Sequence, residues 1–161
     1  MSARDTFVRS SKSGKVLIMT RPALMNEQPP GEREPQFRRV LLVEDEAPLR
    51  RVIARNLTSR GIEVCEAATA SDAVQAATSE HHDLLLLDIN LPDRTGWEVL
   101  RELKRRGTEV PTIVVSAVRV SQSRLEEFHP LAYLPKPFPV EALLRLVMGR
   151  GSPEHDDSAV E

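Results

Sequence analysis

Four consecutive leucines, residues 84–87, followed directly by Asp88, constrain the fold of this chain more than any other stretch. An apolar run without polar alternation is typical of a strand buried on both faces, as in a parallel sheet covered by helices. Residues 90–93, Asn-Leu-Pro-Asp, break the strand. Since open parallel sheets bind ligands beyond the carboxyl ends of their strands, Asp88 is predicted to lie at a ligand site. As an isolated residue it could equally be a helix cap.

The composition is that of one soluble globular domain. The 161 residues are 40% hydrophobic and 29% charged, and the net charge is -2. That charge gives no reason to expect nucleic acid as a partner. The single cysteine, Cys65, excludes an intramolecular disulfide and fits a reducing compartment. No apolar run has the length needed to cross a bilayer. We therefore expect a cytoplasmic protein with no membrane association and no direct DNA binding.

Three segments are predicted. Residues 1–36 are rich in Ser, Arg and Pro and lack sustained apolar periodicity, which favours a disordered arm. Residues 16–19, Val-Leu-Ile-Met, leave open a short edge strand within that arm. Residues 37–150 form the folded domain, and residues 151–161 form an acidic flexible tail. No second domain is evident after the tail, so we expect no separate output module.

Strand and helix patterns alternate through the folded segment. The predicted strands are short apolar runs, and the predicted helices repeat apolar residues at helical spacing. Pro48 suits the first turn of the first helix, whose buried face is predicted to be Leu49, Val52, Ile53 and Leu57. The strands are predicted at 40–43, 62–66, 84–88, 111–115 and 132–134, with a fourth helix of thin apolar character near 121–128. Five strands separated by helices predict an α/β fold with a doubly wound five-stranded parallel sheet.

Polar residues follow the strands on one side of this predicted sheet. They are Glu44 and Asp45 after the first strand, Asp88 after the third, Ser116 after the fourth and Lys136 after the fifth. Clustered carboxylates repel, which requires a raised pKa or a bound cation. Hard oxygen ligands suit Mg²⁺. A carboxylate nucleophile with a neighbouring lysine and hydroxyl is suited to holding a phosphoryl group. Each residue alone has an ordinary explanation, as a helix cap or a solvated charge, but their joint placement favours a site.

Four motifs resemble the receiver domain of bacterial two-component response regulators, in particular the single-domain chemotaxis type. They are LLVEDE at 41–46, LDINLPDRTG at 87–96, VSA at 115–117 and YLPKPF at 133–138. The resemblance covers about residues 38–148. It implies the flavodoxin-like strand order 2-1-3-4-5, which the handedness of crossovers alone does not fix.

The resemblance also implies roles for individual residues. Asp88 would be the phosphoacceptor, and Mg²⁺ would be held by Asp45, by Asp88 and by the backbone carbonyl of Asn90, with Glu44 acting indirectly. Lys136 would bind the phosphoryl group and precede a cis peptide bond to Pro137. Ser116 would be the switch hydroxyl and Tyr133 the switch aromatic. The expected function is phosphotransfer from a histidine kinase or phosphotransfer protein to a signalling protein, which catalyses only its own phosphorylation and dephosphorylation.

The sequence departs from the family pattern between Ser116 and Lys136. Residues 128–131, Phe-His-Pro-Leu, replace the common turn before the fifth strand, and Pro130 is expected to shorten the fourth helix. This region carries dimer and partner contacts in the family, so the downstream protein and any homodimer cannot be transferred by analogy. Val118 is apolar where some fast-hydrolysing members are polar, which predicts a longer phosphoryl lifetime.

Two other functions compete with this interpretation. A degenerate receiver acting as a phosphorylation-independent scaffold is disfavoured because Glu44, Asp45, Asp88, Ser116 and Lys136 are all present. A metal-dependent phosphohydrolase with an aspartate nucleophile would carry a second Asp two positions later, where this chain has Asn90. Nucleotide binding is disfavoured because no glycine-rich loop follows the first strand. The pair His81 and His82 is predicted to be a solvated turn.

Overall fold

Five strands and five helices alternate in the computed structural model, which describes residues 35–149. The strands are β1 Arg39–Val43, β2 Glu63–Ala67, β3 Leu84–Asp88, β4 Thr112–Ser116 and β5 Ala132–Pro135. The helices are α1 Ala47–Thr58, α2 Ala70–Ser79, α3 Gly96–Arg105, α4 Gln122–Phe128 and α5 Val140–Val147. Most of the predicted arm and all of the predicted tail, including residues 16–19, lie outside the described residues, so those boundaries stay predictions.

The strands form one parallel sheet in the order β2-β1-β3-β4-β5. This confirms the predicted α/β class and the flavodoxin-like order. The central strand, β3, is buried along its whole length, as the four leucines predicted. In register, Val43 lies beside Leu87, and Asp88 lies beside Val115, so β1, β3 and β4 end at the same edge of the sheet.

Helices cover both faces of the sheet with separate apolar clusters. One cluster joins the sheet to α1 and α5 through Leu57, Leu86 and Leu143. The other joins it to α2 and α3 through residues such as Ala73 and Val99. Burial on both faces explains why the inner strands carry almost no polar residues.

The helix boundaries follow local sequence signals. Pro48 lies in the first turn of α1, and Gly61 and Gly107 adopt positive φ angles of 78° and 70° just after α1 and α3. Thr69 caps α2 by accepting a hydrogen bond from the backbone N–H of Asp72. Thr95 and Glu98 form a reciprocal capping box at the start of α3, which the sequence analysis did not identify.

Two packing predictions are wrong. Val52 is 47% exposed, and Ala54 is buried in its place, because the buried stripe of α1 runs through Ile53 and Leu57 and passes Val52 on its flank. His82 is buried, with only 4% of its surface exposed, whereas its neighbour His81 lies in solvent as predicted. The chain turns inward at His82 to enter β3.

Helix α4 is the least anchored helix of the fold. It contains no buried residue, and His129 ends it in the left-handed conformation at φ 46°. This agrees with the thin apolar face and the early end predicted from Pro130. Within residues 35–149, none of the helices combines the length and apolarity required to span a bilayer.

Candidate functional site

The carboxyl ends of β1, β3 and β4 bring Glu44, Asp88 and Ser116 together. These side chains are almost completely withdrawn from solvent, with exposures of 2%, 3% and 1%. The withdrawal follows from the fold, because each residue ends or follows a central strand whose neighbours lie on both sides. Buried polar side chains require partners, and the loop after β5 supplies one for the two carboxylates.

Lys136 is the cation of this pocket. Its Nζ lies 2.8 Å from Oε2 of Glu44 and 3.0 Å from Oδ2 of Asp88. The backbone N–H of Lys136 donates to the carbonyl of Ser116 at 2.8 Å, which sets the lysine beside the end of β4. The Lys136–Pro137 bond is cis, as the resemblance implied. The loop after β5 thus directs the ammonium group inward to both carboxylates.

The pocket perturbs the charges that it holds. Burial raises the pKa of Glu44 to about 7, although the hydrogen bonds from Lys136 and from the Glu46 N–H oppose this shift; the Asp88 charge adds to it. Burial tends to lower the pKa of Lys136, but its contacts with Glu44 and Asp88 outweigh burial and raise the pKa. The lysine therefore stays charged at neutral pH while Glu44 is near its titration point.

Three carboxylates lie close enough to share a cation. Glu44, Asp45 and Asp88 each place a carboxylate oxygen within 4.8 Å of the other two. Asp45 is exposed, so it faces solvent from the rim of the pocket. The backbone N–H of Asn90 donates to Oδ1 of Asp88 at 3.0 Å, which places the Asn90 backbone beside the same carboxylate. A set of hard oxygen donors fits Mg²⁺, which prefers such ligands.

Ser116 and Tyr133 meet at one residue of the loop after β4. The Ser116 hydroxyl accepts a hydrogen bond from the Val118 N–H at 3.0 Å. The Tyr133 hydroxyl donates to the Val118 carbonyl at 3.3 Å. Val118 itself is 60% exposed. Both predicted switch residues therefore hold the backbone of the same exposed residue.

The structure adds residues at this end of the sheet that the sequence analysis did not identify. Arg50 donates to the Glu44 carbonyl at 2.7 Å and pairs with Glu66 at 3.2 Å, linking α1 to the pocket wall. Trp97 of α3 stacks on Phe128 of α4 with ring centroids 5.2 Å apart. No sequence signal could find these contacts, because each joins elements whose separation only the fold sets.

Comparison with known proteins gives a consistent family relationship. The model of the response regulator receiver domain family matches residues 40–148. Response regulator MprA of Mycobacterium avium is 34% identical over 127 residues, covering 76% of this chain and 56% of MprA. The KDP operon transcriptional regulatory protein KdpE of Escherichia coli is 37% identical over 118 residues, covering 70% of this chain and 52% of KdpE.

Solved structures agree. A CheY-like response regulator receiver domain protein from Methanospirillum hungatei has a TM-score of 0.60 at 30% identity, covering 67% of this chain and 88% of that protein. The response regulator TrrA of Thermotoga maritima, solved in complex with Mg²⁺ and BeF, has a TM-score of 0.59 at 28% identity, covering 66% of this chain and 92% of TrrA.

The chain spans about half the length of the curated relatives that it matches. One of these relatives is named as a transcriptional regulatory protein. The prediction that this protein does not bind DNA is therefore not supported.

Proposed function

The chain belongs to the response regulator receiver domain family, and from that premise we propose that Asp88 accepts a phosphoryl group from a phosphohistidine. The donor is a histidine kinase or a phosphotransfer protein. The proposal assigns a signalling role in a two-component system rather than turnover of a metabolite. The bound phosphoryl group is the signal, and the protein promotes only its own phosphorylation and its later hydrolysis.

The observation that carries this proposal is the position of Lys136 between two buried carboxylates. One oxygen of Asp88 accepts from Asn90 and the other contacts Lys136, so the carboxylate has a fixed orientation. In the reaction an Asp88 oxygen bonds to phosphorus as the phosphorus–nitrogen bond breaks, and the imidazole leaves with its electron pair. Lys136 offsets the charge on the phosphoryl oxygens, which is where such transfers need stabilisation.

Asp45, Asp88 and the backbone carbonyl of Asn90 would hold Mg²⁺, and Glu44 would act indirectly, without binding the ion itself. The bound ion supplies charge neutralisation for the phosphoryl oxygens during transfer. The donor set supports this assignment, because its carboxylates converge within 4.8 Å at the end of the sheet. Glu44 is buried and already contacts Lys136, which fits an indirect role better than direct ligation.

Ser116 and Tyr133 would transmit the phosphorylation. A phosphoryl group on Asp88 offers new acceptor oxygens to the Ser116 hydroxyl, which now contacts Val118. Movement of that hydroxyl would release Val118 and with it the partner of Tyr133. Local charge changes of this kind bias two-state elements. A downstream protein or a second copy of this chain would bind the altered face around α4. This helix is free to shift because none of its residues is buried.

The apolar Val118 supports a longer phosphoryl lifetime than that of chemotaxis-type members. Val118 is 60% exposed, and its apolar side chain offers no polar group to orient water. Persistence of the phosphorylated protein well beyond seconds is expected, and decay within seconds would count against this assignment. The protein is proposed to act in the cytoplasm.

Intact mass spectrometry after incubation with a small-molecule phosphodonor tests the proposal. The wild-type chain should gain one phosphoryl group only when Mg²⁺ is present. Asp88→Asn should gain none, whereas Asp72→Asn, a matched change at an exposed carboxylate of α2, should behave as wild type. A folded wild-type protein that binds Mg²⁺ without forming an adduct would instead support the phosphorylation-independent scaffold. An adduct on Asp88→Asn would show that another residue is the acceptor.

A further inference from the structure

The loop between β3 and α3 follows Asp88 and carries Asn90, two of the proposed Mg²⁺ ligands, and backbone hydrogen bonds within the loop close its base. The N–H of Gly96 donates to the carbonyl of Ile89 at 2.8 Å. Asn90 and Thr95 form an isolated antiparallel bridge across the loop. These contacts shape the base, but the base alone does not fix the loop relative to the rest of the sheet edge.

Asp93 at the tip of this loop contacts the first turn of α2. Its Oδ1 accepts from the backbone N–H of Ala70 at 2.8 Å. Its Oδ2 accepts from both the N–H and the hydroxyl of Ser71, each at 3.0 Å. The Thr69 hydroxyl accepts a hydrogen bond from the next donor, the N–H of Asp72. The first two N–H groups of α2 therefore donate to Asp93, a residue more than 20 positions further along the chain.

A carboxylate is suited to this position. The first N–H groups of a helix lack partners within it, and its N-terminus carries partial positive charge. These amide donors, first that of Ala70, lower the pKa of Asp93 to about 2. Asp93 is consequently ionised throughout the physiological range, and the contact does not depend on pH there.

The start of α2 is tied to the other ligand-bearing segment as well. The N–H of Glu44 donates to the carbonyl of Ala67 at 3.0 Å, at the end of β2 and three residues before α2. Ala67 thus contacts the backbone of Glu44, just after β1, while Ala70 and Ser71 hold, through Asp93, the loop that carries Asn90. The connection from β2 to α2 therefore acts as a common anchor for both groups of oxygen donors.

We propose that Asp93 is a positioning residue for Mg²⁺ binding. Its hydrogen bonds to the start of α2 hold the β3–α3 loop, and with it the Asn90 carbonyl, in the position that the ion requires. This inference rests on the proposed function of the site. Residues that orient metal ligands without touching the metal change metal affinity by about 10- to 100-fold when removed. Asp93 differs from an ordinary cap because its removal frees the loop as well as the helix end.

The experiment compares Asp93→Ala with Thr69→Ala. Both variants remove a side-chain cap from the same end of α2, but only the first releases the loop. Titration of ¹⁵N-labelled protein with MgCl₂, followed by amide chemical shifts, gives the Mg²⁺ dissociation constant of each folded variant. The rate of phosphoryl-adduct formation is then measured over a range of Mg²⁺ concentrations.

Asp93→Ala should weaken Mg²⁺ binding by about tenfold or more, and Thr69→Ala should leave it unchanged. Asp93→Asn keeps an amide oxygen for Ala70 and should fall between Asp93→Ala and wild type. Adduct formation by Asp93→Ala should recover at saturating Mg²⁺, which a general loss of stability would not produce. Equal weakening in Asp93→Ala and Thr69→Ala, or wild-type affinity in Asp93→Ala, would reduce Asp93 to a helix cap and overturn the inference.

Measurements on the wild-type protein distinguish a failure of the Asp93 role from a failure of the proposed function. If wild type binds Mg²⁺ and forms the adduct while Asp93→Ala matches it, only the role of Asp93 fails. If wild type itself neither binds Mg²⁺ nor forms an adduct, the proposed function fails, and the role of Asp93 fails with it.

Discussion

Glu44 should make the stability of this protein fall as the pH rises. Burial raises the pKa of its carboxyl from 4.5 to about 7, so the folded state binds more protons than the unfolded state between these values. Stability from this group is complete below pH 4.5 and is lost as the pH rises through about 7. Glu44→Gln replaces the carboxyl by an uncharged group of the same shape and should abolish this loss.

The size of the effect follows from the shift. A difference of about 2.5 units, from 4.5 to 7, multiplied by about 1.36 kcal/mol per unit gives an upper limit of about 3 kcal/mol. Solvent at the open rim, where Asp45 is exposed, screens the pocket and reduces that figure. We therefore expect the difference in unfolding free energy between Glu44→Gln and wild type to shift in favour of the variant by about 2 kcal/mol as the pH rises from 4.5 to 8.5.

Urea denaturation of both proteins at pH 4.5, 6, 7 and 8.5, with a chelator present, measures this difference. Other titrating groups, such as His82, occur in both proteins and cancel in the comparison. Lys136, whose raised pKa lies above this range, does not contribute there. Parallel stability curves, separated by the same amount at every pH, would show that burial does not raise the pKa of Glu44.

Three further perturbations test other parts of the structure. Gly96→Ala should slow adduct formation and cost about 1–3 kcal/mol, because a Cβ there would lie 2.7 Å from the Asp88 carbonyl oxygen; a wild-type melting temperature and adduct rate would contradict this. Leu57→Ala, in the core, should cost about 3 kcal/mol in chemical denaturation, whereas Val52→Ala on the exposed flank should cost less than about 0.5 kcal/mol; similar losses would contradict the placement of α1. Burial, aided by the charge of Arg39, lowers the pKa of His82 below 6.5. Wild-type stability should therefore fall as the pH drops from 6.5 toward that lower value, and His82→Leu should remove this loss. If the urea midpoint of His82→Leu fell with decreasing pH as steeply as that of wild type, His82 would not be the cause of the loss.

Much of the fold could be predicted from local patterns. The leucine run of β3 required burial on both faces, and strand–helix alternation required a parallel sheet. The placement of Pro48 in the first turn of α1 was likewise predictable, because it depends on backbone geometry over a few residues. The strand order was not, since several orders satisfy the same pattern and only the family resemblance selected one.

Burial of single side chains was less predictable. Helical spacing grouped Val52 with Leu49, Ile53 and Leu57, but the width of the buried stripe depends on how α1 packs on the sheet. His82 was predicted to lie in a solvated turn with His81, but it is buried where the chain enters β3. Such outcomes are decided by neighbours that are distant in sequence.

The sequence alone predicted which polar groups end or follow the strands, and hence that Glu44, Asp88, Ser116 and Lys136 gather at one edge. Parallel strands align their carboxyl ends, so the pattern of residues along the chain was sufficient. The pairing of these groups, with Lys136 between Glu44 and Asp88, depends on the folded structure, and so does the capping of α2 by Asp93. Hydrogen bonds have a reach of about 3 Å, and contacts between residues 23 or 48 positions apart exist only where the packed helices and strands bring the atoms within that distance.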